Sequence, residues 1–145
     1  MSNNQLMGKV TTKLVILNRA DQVLVERGYI TEEQVRSLTL EDVLVDTGAT
    51  TLCLPKEAIE QLGLKLLRQV DVNTATGLST ARIFQDAKIS LLDREGTFEC
   101  LELPGGKNAL LGVIPLEALG IELDLQKQKL HVLPITSSDT YLTIL

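Results

Sequence analysis

The chain has 145 residues, 44% of them hydrophobic but only 3% aromatic, with 19 acidic against 14 basic side chains. That length suits a single domain around one aliphatic core, while the acidic balance and the lack of ring platforms argue against nucleic acid as a partner. No apolar run approaches the roughly 18 residues that span a bilayer, and Met1 to Val10 lacks the basic and apolar regions of a signal peptide, so no membrane partner and a cytoplasmic location are expected.

Residues 1–9 read as a polar, disordered start. Val10 to Leu17 is rich in β-branched residues, Asn18-Arg19-Ala20-Asp21 reads as a turn, and Val23-Leu24-Val25 as a returning strand, so residues 10–37 are expected to form an N-terminal hairpin extension. Thr31-Glu32-Glu33-Gln34 fits a capping box between the staple residues Ile30 and Val35, enough for one or two helical turns. Glu26, Glu32, Glu33 and Glu41 read as a solvated face.

Leu38 and Leu40 alternate with polar residues before Val43-Leu44-Val45, so a strand grows more buried as it approaches Asp46-Thr47-Gly48-Ala49-Thr50. Three apolar residues in a row fit a strand covered on both faces. The carboxylate of Asp46 therefore sits at the edge of an apolar interior and needs donors. Thr47 and Thr50 offer hydroxyls, and Gly48 lets the backbone bend with exposed N–H groups. Taken alone, the triplet reads equally well as an Asx-type turn. After Leu52-Cys53-Leu54, Pro55 suits the start of a short helix, with Ala58, Ile59 and Leu62 on one face and Gly63 as its stop.

Leu66 to Asn73 reads as a strand, Thr74-Ala75-Thr76-Gly77 as a turn, and Leu78 to Leu92 as a long return strand bent near Gln85-Asp86. Its small polar tip suits either a surface hairpin or a cover over a groove. Asp93-Arg94-Glu95-Gly96 reads as the next turn, leading into a strand from Thr97 to Leu103. Ala109-Leu110-Leu111-Gly112 is a second apolar run ending in Gly, and a helix from Pro115 to Leu119 follows, stopped by Gly120. The two units, Leu54-Pro55 to Gly63-Leu64 and Ile114-Pro115 to Gly120-Ile121, suggest an internal pseudo-twofold. A last hairpin covers Ile121 to Leu133, and residues 134–145 form a strand-like tail. Cys53 and Cys100 read as buried free thiols, and with the single His131 they make no metal cluster, so neither a metal nor a cofactor is expected.

The run Val43 to Thr50, with Leu52-Cys53-Leu54-Pro55 behind it and Leu110-Leu111-Gly112 downstream, resembles the retropepsin-like aspartic proteases, including their small bacterial members. The resemblance covers residues 38–133 as a protease-like core and implies an all-β, closed or barrel-like fold with one or two short helices. It implies Asp46 as the catalytic residue, with Thr47 gripping across a dimer, and Gly48 and Ala49 contacting substrate backbone. Thr74, Ala75, Thr76, Gly77 and Leu78 become a flap over an extended peptide. Viral members commonly carry an acidic residue where Thr50 stands and a basic one where Val113 stands, so this chain lacks both halves of that brace.

Aspartic catalysis needs two carboxylates sharing one proton, yet the chain holds one Asp-Thr-Gly; Asp139-Thr140-Tyr141 and Asp124-Leu125-Gln126 lack the Gly. The expectation is a C2 homodimer that pairs Asp46 with its copy and hydrolyses an extended peptide or protein substrate. Two alternatives stand beside it: a catalytically silent dimerisation or peptide-binding module, and a monomeric β-rich binding domain in which Asp46 only caps a turn.

Overall fold

The computed structural model of the protein describes residues 9–134. Strand β1 (Val10–Asn18) runs antiparallel to β2 (Ser37–Val45), with Val10 opposite Val45 and Leu17 opposite Ser37. Between them the chain does not form the expected hairpin. Residues Arg19–Glu26 are helix α1, and a single 3-10 turn spans Glu32–Gln34. Asn18 decides this departure: its side-chain oxygen accepts the Asp21 N–H at 3.1 Å, which caps a helix where a turn was read. Val23 and Val25 then fall on a helix face, and β1 takes its partners from distant strands. The capping box is present, with the Thr31 N–H donating to Gln34 Oε1 at 2.9 Å.

After Asp46 the chain makes β3 (Leu52–Pro55), helix α2 (Lys56–Leu62), and the long hairpin of β4 (Lys65–Thr74) and β5 (Gly77–Leu91). It continues through β6 (Arg94–Leu103), β7 (Leu110–Leu111), helix α3 (Val113–Leu119), and the hairpin β8 (Ile121–Asp124) and β9 (Lys129–Val132). The turn into β6 is tighter than the sequence suggests: Leu92 and Asp93 alone make it, both at positive φ. The bend expected in β5 is a bulge between Phe84 and Ala87, where Asp86 takes φ 68°.

One sheet is ordered β1-β2-β7-β3-β6-β5-β4, and an added pairing of β1 with β5, from Val15 opposite Ser90 to Asn18 opposite Ala87, closes six of its strands into a ring. This is the mostly β, closed architecture expected, but with three short α-helices among the described residues where one or two were expected. β4 stands outside the ring, where its sheet neighbour is β5. The core is aliphatic: Leu14, Ile16, Val43, Leu52, Leu54, Leu62, Ile89 and Leu111 are fully buried, each contributing about 1.5–3 kcal/mol through area removed from water. The tail from residue 135 onward, including Asp139 and the strand-like Tyr141 to Leu145, lies outside the described residues.

Both Pro- and Gly-marked units appear as expected. Helices α2 and α3 end at Gly63 (φ 63°, ψ 32°) and Gly120 (φ 69°, ψ 42°), the left-handed cap that glycine adopts without a Cβ penalty. Pro55 and Pro115 sit differently, one as the residue before its helix and the other inside the first turn. Arg94 locks the second unit to the sheet: its guanidinium donates to the carbonyls of Leu119 at 2.7 Å, Gly120 at 2.9 Å, and Leu133.

Candidate active site

Asp46 leaves β2 at the point where that strand is wedged against β7. Leu44 and Val45 pair in parallel with Leu110 and Leu111, and the Asp46 N–H donates to the Leu111 carbonyl at 3.0 Å. Val43 and Val45 are buried, whereas Leu44 is only partly covered. The strand therefore has one packed face and one open face, which corrects the reading of a strand covered on both. The chain then reverses: the Ala49 N–H bonds the Asp46 carbonyl at 3.0 Å, and the Gly48 N–H donates to Asp46 Oδ1 at 2.8 Å. Among the described residues no cation and no other donor reaches that carboxylate. The hydroxyls of Thr47 and Thr50 leave it alone, and both residues are exposed.

Helix α3 pins this loop from behind. The N–H groups of Val113 and Ile114 donate to the carbonyls of Ala49 and Thr50 at 3.0 and 2.9 Å. Gly112 makes that approach possible, since a Cβ there would lie 2.5 Å from the Thr51 carbonyl and 2.6 Å from that of Ala49. Backbone atoms cannot swing aside, so glycine is required by contact and not by φ, which is −95°. Main-chain hydrogen bonds thus tie the Asp46 loop to the start of α3.

Cys53 is the residue the sequence reading undervalued. It is buried on β3, opposite Leu110, with its thiol donating to the Thr51 carbonyl at 3.7 Å. Burial, with the negative charge of Asp46 adding to it, pushes this thiol up to about 11, so it is a neutral packing group beside the carboxylate. Burial likewise pushes Cys100 up to about 12. Period-two alternation in Leu52-Cys53-Leu54 was the available signal, since it sends Cys53 to the face opposite the core.

Asp46, Thr47, Gly48 and Ala49 share one turn, while Thr74, Ala75, Thr76, Gly77 and Leu78 occupy the tip of the β4–β5 hairpin. Within one chain the two groups lie on separate elements, and among the described residues no hydrogen bond joins them. At the tip Thr74 pairs with Gly77, and Thr74 Oγ1 bonds the Gly77 carbonyl at 2.7 Å. Gly77 takes φ 119°, which L residues avoid. Leu78 is 78% exposed, the most open large apolar side chain among those described.

A strand packed on one face that delivers a carboxylate, unpaired among the described residues, into a Gly turn braced by a second apolar-Gly unit is the arrangement on which one comparison bears. The sequence profile of the aspartyl protease family matches residues 29–114, more than half of the chain. The chain belongs to the aspartyl protease family. Both the Asp46 turn and the Gly112 brace lie inside the matched span, and so does the whole β4–β5 hairpin. No curated protein matches the chain. Membership gives this retropepsin-like protein a protease's chemistry, and none of its helices is long and apolar enough to cross a membrane among the described residues.

Proposed function

We propose that the protein is a homodimeric aspartic endopeptidase whose catalytic dyad is Asp46 and the Asp46 of a second copy. The observation that carries this reading is the state of Asp46: partly open, oriented by the Gly48 N–H, and without an ion-pair partner among the described residues. One such carboxylate per chain is half of an aspartic site, and an isologous interface supplies the other half. Leu78 and Ile114, 78% and 49% exposed, support a surface that a partner or a peptide covers.

In the dimer two carboxylates about 3 Å apart cannot both ionise, so the pair holds one proton between them. The ionised member takes a proton from water while the protonated member donates to the carbonyl oxygen of the peptide bond. Collapse of the resulting tetrahedral intermediate expels the amine. Thr47 would tie the two loops together, Gly48 and Ala49 would meet the substrate backbone, and the tip from Thr74 to Leu78 would lie over an extended peptide as an added strand. Two free buried cysteines support a reducing compartment such as the cytoplasm.

The test joins assembly to turnover. Sedimentation equilibrium is expected to give a dimer, and a peptide library is expected to be cleaved across acidic to neutral pH. A peptide mimic with a hydroxyl at the scissile position, which imitates the tetrahedral intermediate, should block cleavage, while chelators should not. A monomer at every concentration overturns the proposal. A dimer that binds peptide without cutting it points instead to the silent module.

A further inference from the structure

Strand register lays out a second face beside Asp46. Leu44 pairs with Leu110, Leu110 with Cys53, Cys53 with Leu101, and Leu101 with Ile83, so these five residues share one side of the sheet. Val45, Leu111, Leu52, Cys100 and Phe84 share the other, core-facing side. Asp46 follows Leu44 by two residues, just past the end of β2, close enough for Cys53 to feel its charge. The same pairings, carried one residue further, align Asp46 with Gly112, Gly112 with Thr51, and Thr51 with Glu99. The Thr51 hydroxyl donates to the Glu99 carbonyl at 3.3 Å, and Asp46 bonds β7 as that alignment requires. Leu44, Leu110, Cys53 and Leu101 thus make an apolar row beside the line that runs from Asp46 through Gly112 and Thr51 to Glu99.

Glu99 pairs with Arg68 at 2.9 Å, and the two side chains are 48% and 52% exposed. The partners differ in how firmly they are held. Glu99 lies on β6 between Phe98 and Cys100, which pair with Ala87 and Phe84 of β5, whereas Arg68 lies on β4, the outer strand of the hairpin. An exposed ion pair of this kind contributes about 0–1 kcal/mol, so another cation can replace the guanidinium at little cost. Three strand spacings separate β2 from β6, about 14 Å, the reach of about four residues of extended peptide.

We propose that Glu99 is a specificity-determining residue of the cleft, reading a lysine or arginine side chain of the peptide about four residues from the bond that is cut. Arg68 holds the position in the free protein and yields it when the hairpin lifts. The acidic character of the whole chain, −5 at neutral pH, favours the approach of such basic segments. This inference rests on the protease reading of Asp46 but is read out separately from it.

Peptides carrying Lys, Gln or Glu at each position along a ten-residue frame are titrated by fluorescence anisotropy against the Asp46→Asn protein, which needs no turnover. At one position Lys should bind about fivefold more tightly than Glu. Glu99→Gln should erase that preference, and Arg68→Gln, which removes the competing cation, should enlarge it. The double variant Arg68→Glu with Glu99→Arg keeps an ion pair of reversed polarity and should invert the preference. No charge preference at any position, or one that survives Glu99→Gln or is erased by Arg68→Gln, overturns the assignment. Cleavage by the unsubstituted protein is scored apart: a Lys preference without cleavage overturns proteolysis alone, and cleavage without the preference overturns the role of Glu99 alone.

Discussion

Asp21 lies in the first turn of α1 just after β1, and Asp46 opens the turn just after β2, yet the fold surrounds them with opposite company. Asp21 is 5% exposed and is enclosed by Arg36, which donates its backbone N–H at 3.0 Å and two side-chain N–H groups at 2.9 Å. Asp46 receives one backbone N–H and keeps the rest of its carboxylate open. The first arrangement removes a charge from chemistry and uses it to hold α1 against the chain that enters β2. The second leaves the carboxylate without a cation among the described residues. Asn18 extends the first network by donating from Nδ2 to the Leu62 carbonyl at 2.9 Å, tying α1 to the end of α2.

The sharpest break in this comparison is Asp46→Asn. Asn keeps the size and an acceptor for the Gly48 N–H, so thermal unfolding and dimerisation should stay close to those of the parent. Turnover should fall by about a thousandfold or more, because acid and base are lost together. In mixed dimers one Asn leaves a single carboxylate, so activity under subunit exchange should follow roughly the square of the unsubstituted fraction. A linear fall would mean that each chain works alone.

Asp21→Asn should do the reverse. Losing a charged acceptor beneath Arg36 should lower stability by about 1–3 kcal/mol in a urea titration, with kcat/KM per folded dimer unchanged. An activity loss beyond the unfolded fraction would show that the N-terminal network reaches the site.

Acid should probe the Asp21 arrangement as well. The side-chain bonds from Arg36 hold Asp21 below its ordinary 3.8. A carboxylate whose folded value is depressed contributes stability that is complete above the unfolded value and is lost as pH falls through the folded one. The urea midpoint of the parent should therefore drop below about pH 4, and that part of the drop should be missing in Asp21→Asn. Equal acid sensitivity in both proteins would place the titration elsewhere.

Gly77→Val gives the smallest effect and leaves both carboxylates untouched. A Cβ at Gly77 would meet nothing within 4 Å, so the penalty comes from φ 119° and not from crowding. Turnover should fall severalfold while the unfolding midpoint shifts by about 1–2 kcal/mol at most. Equal losses in both would deny the tip a role in closure.

What the sequence determined by itself was local. The capping glycines Gly63 and Gly120, the turn at Asp46, the tip at Gly77 and the strand runs follow from backbone conformation and side-chain period, which act over a few residues. Length and apolar content were enough for a single aliphatic core. The Asp-Thr-Gly run and the later Leu-Leu-Gly also marked the family, because the turn needs those residue types together. Tertiary structure decided the rest. Asn18 became a helix cap because its amide could reach the end of α2, so α1 replaced a strand; that partner lies 44 residues away. Gly112 was legible as a turn residue, but its necessity comes from the carbonyls of Ala49 and Thr51 pressed against it. The roles of Asp21, Arg94 and Glu99 had no sequence signal, since a charged residue in a polar stretch looks the same whether it meets solvent or a distant partner. Register between distant strands, set by burial of one face of each, is what brought Glu99 into line with Asp46.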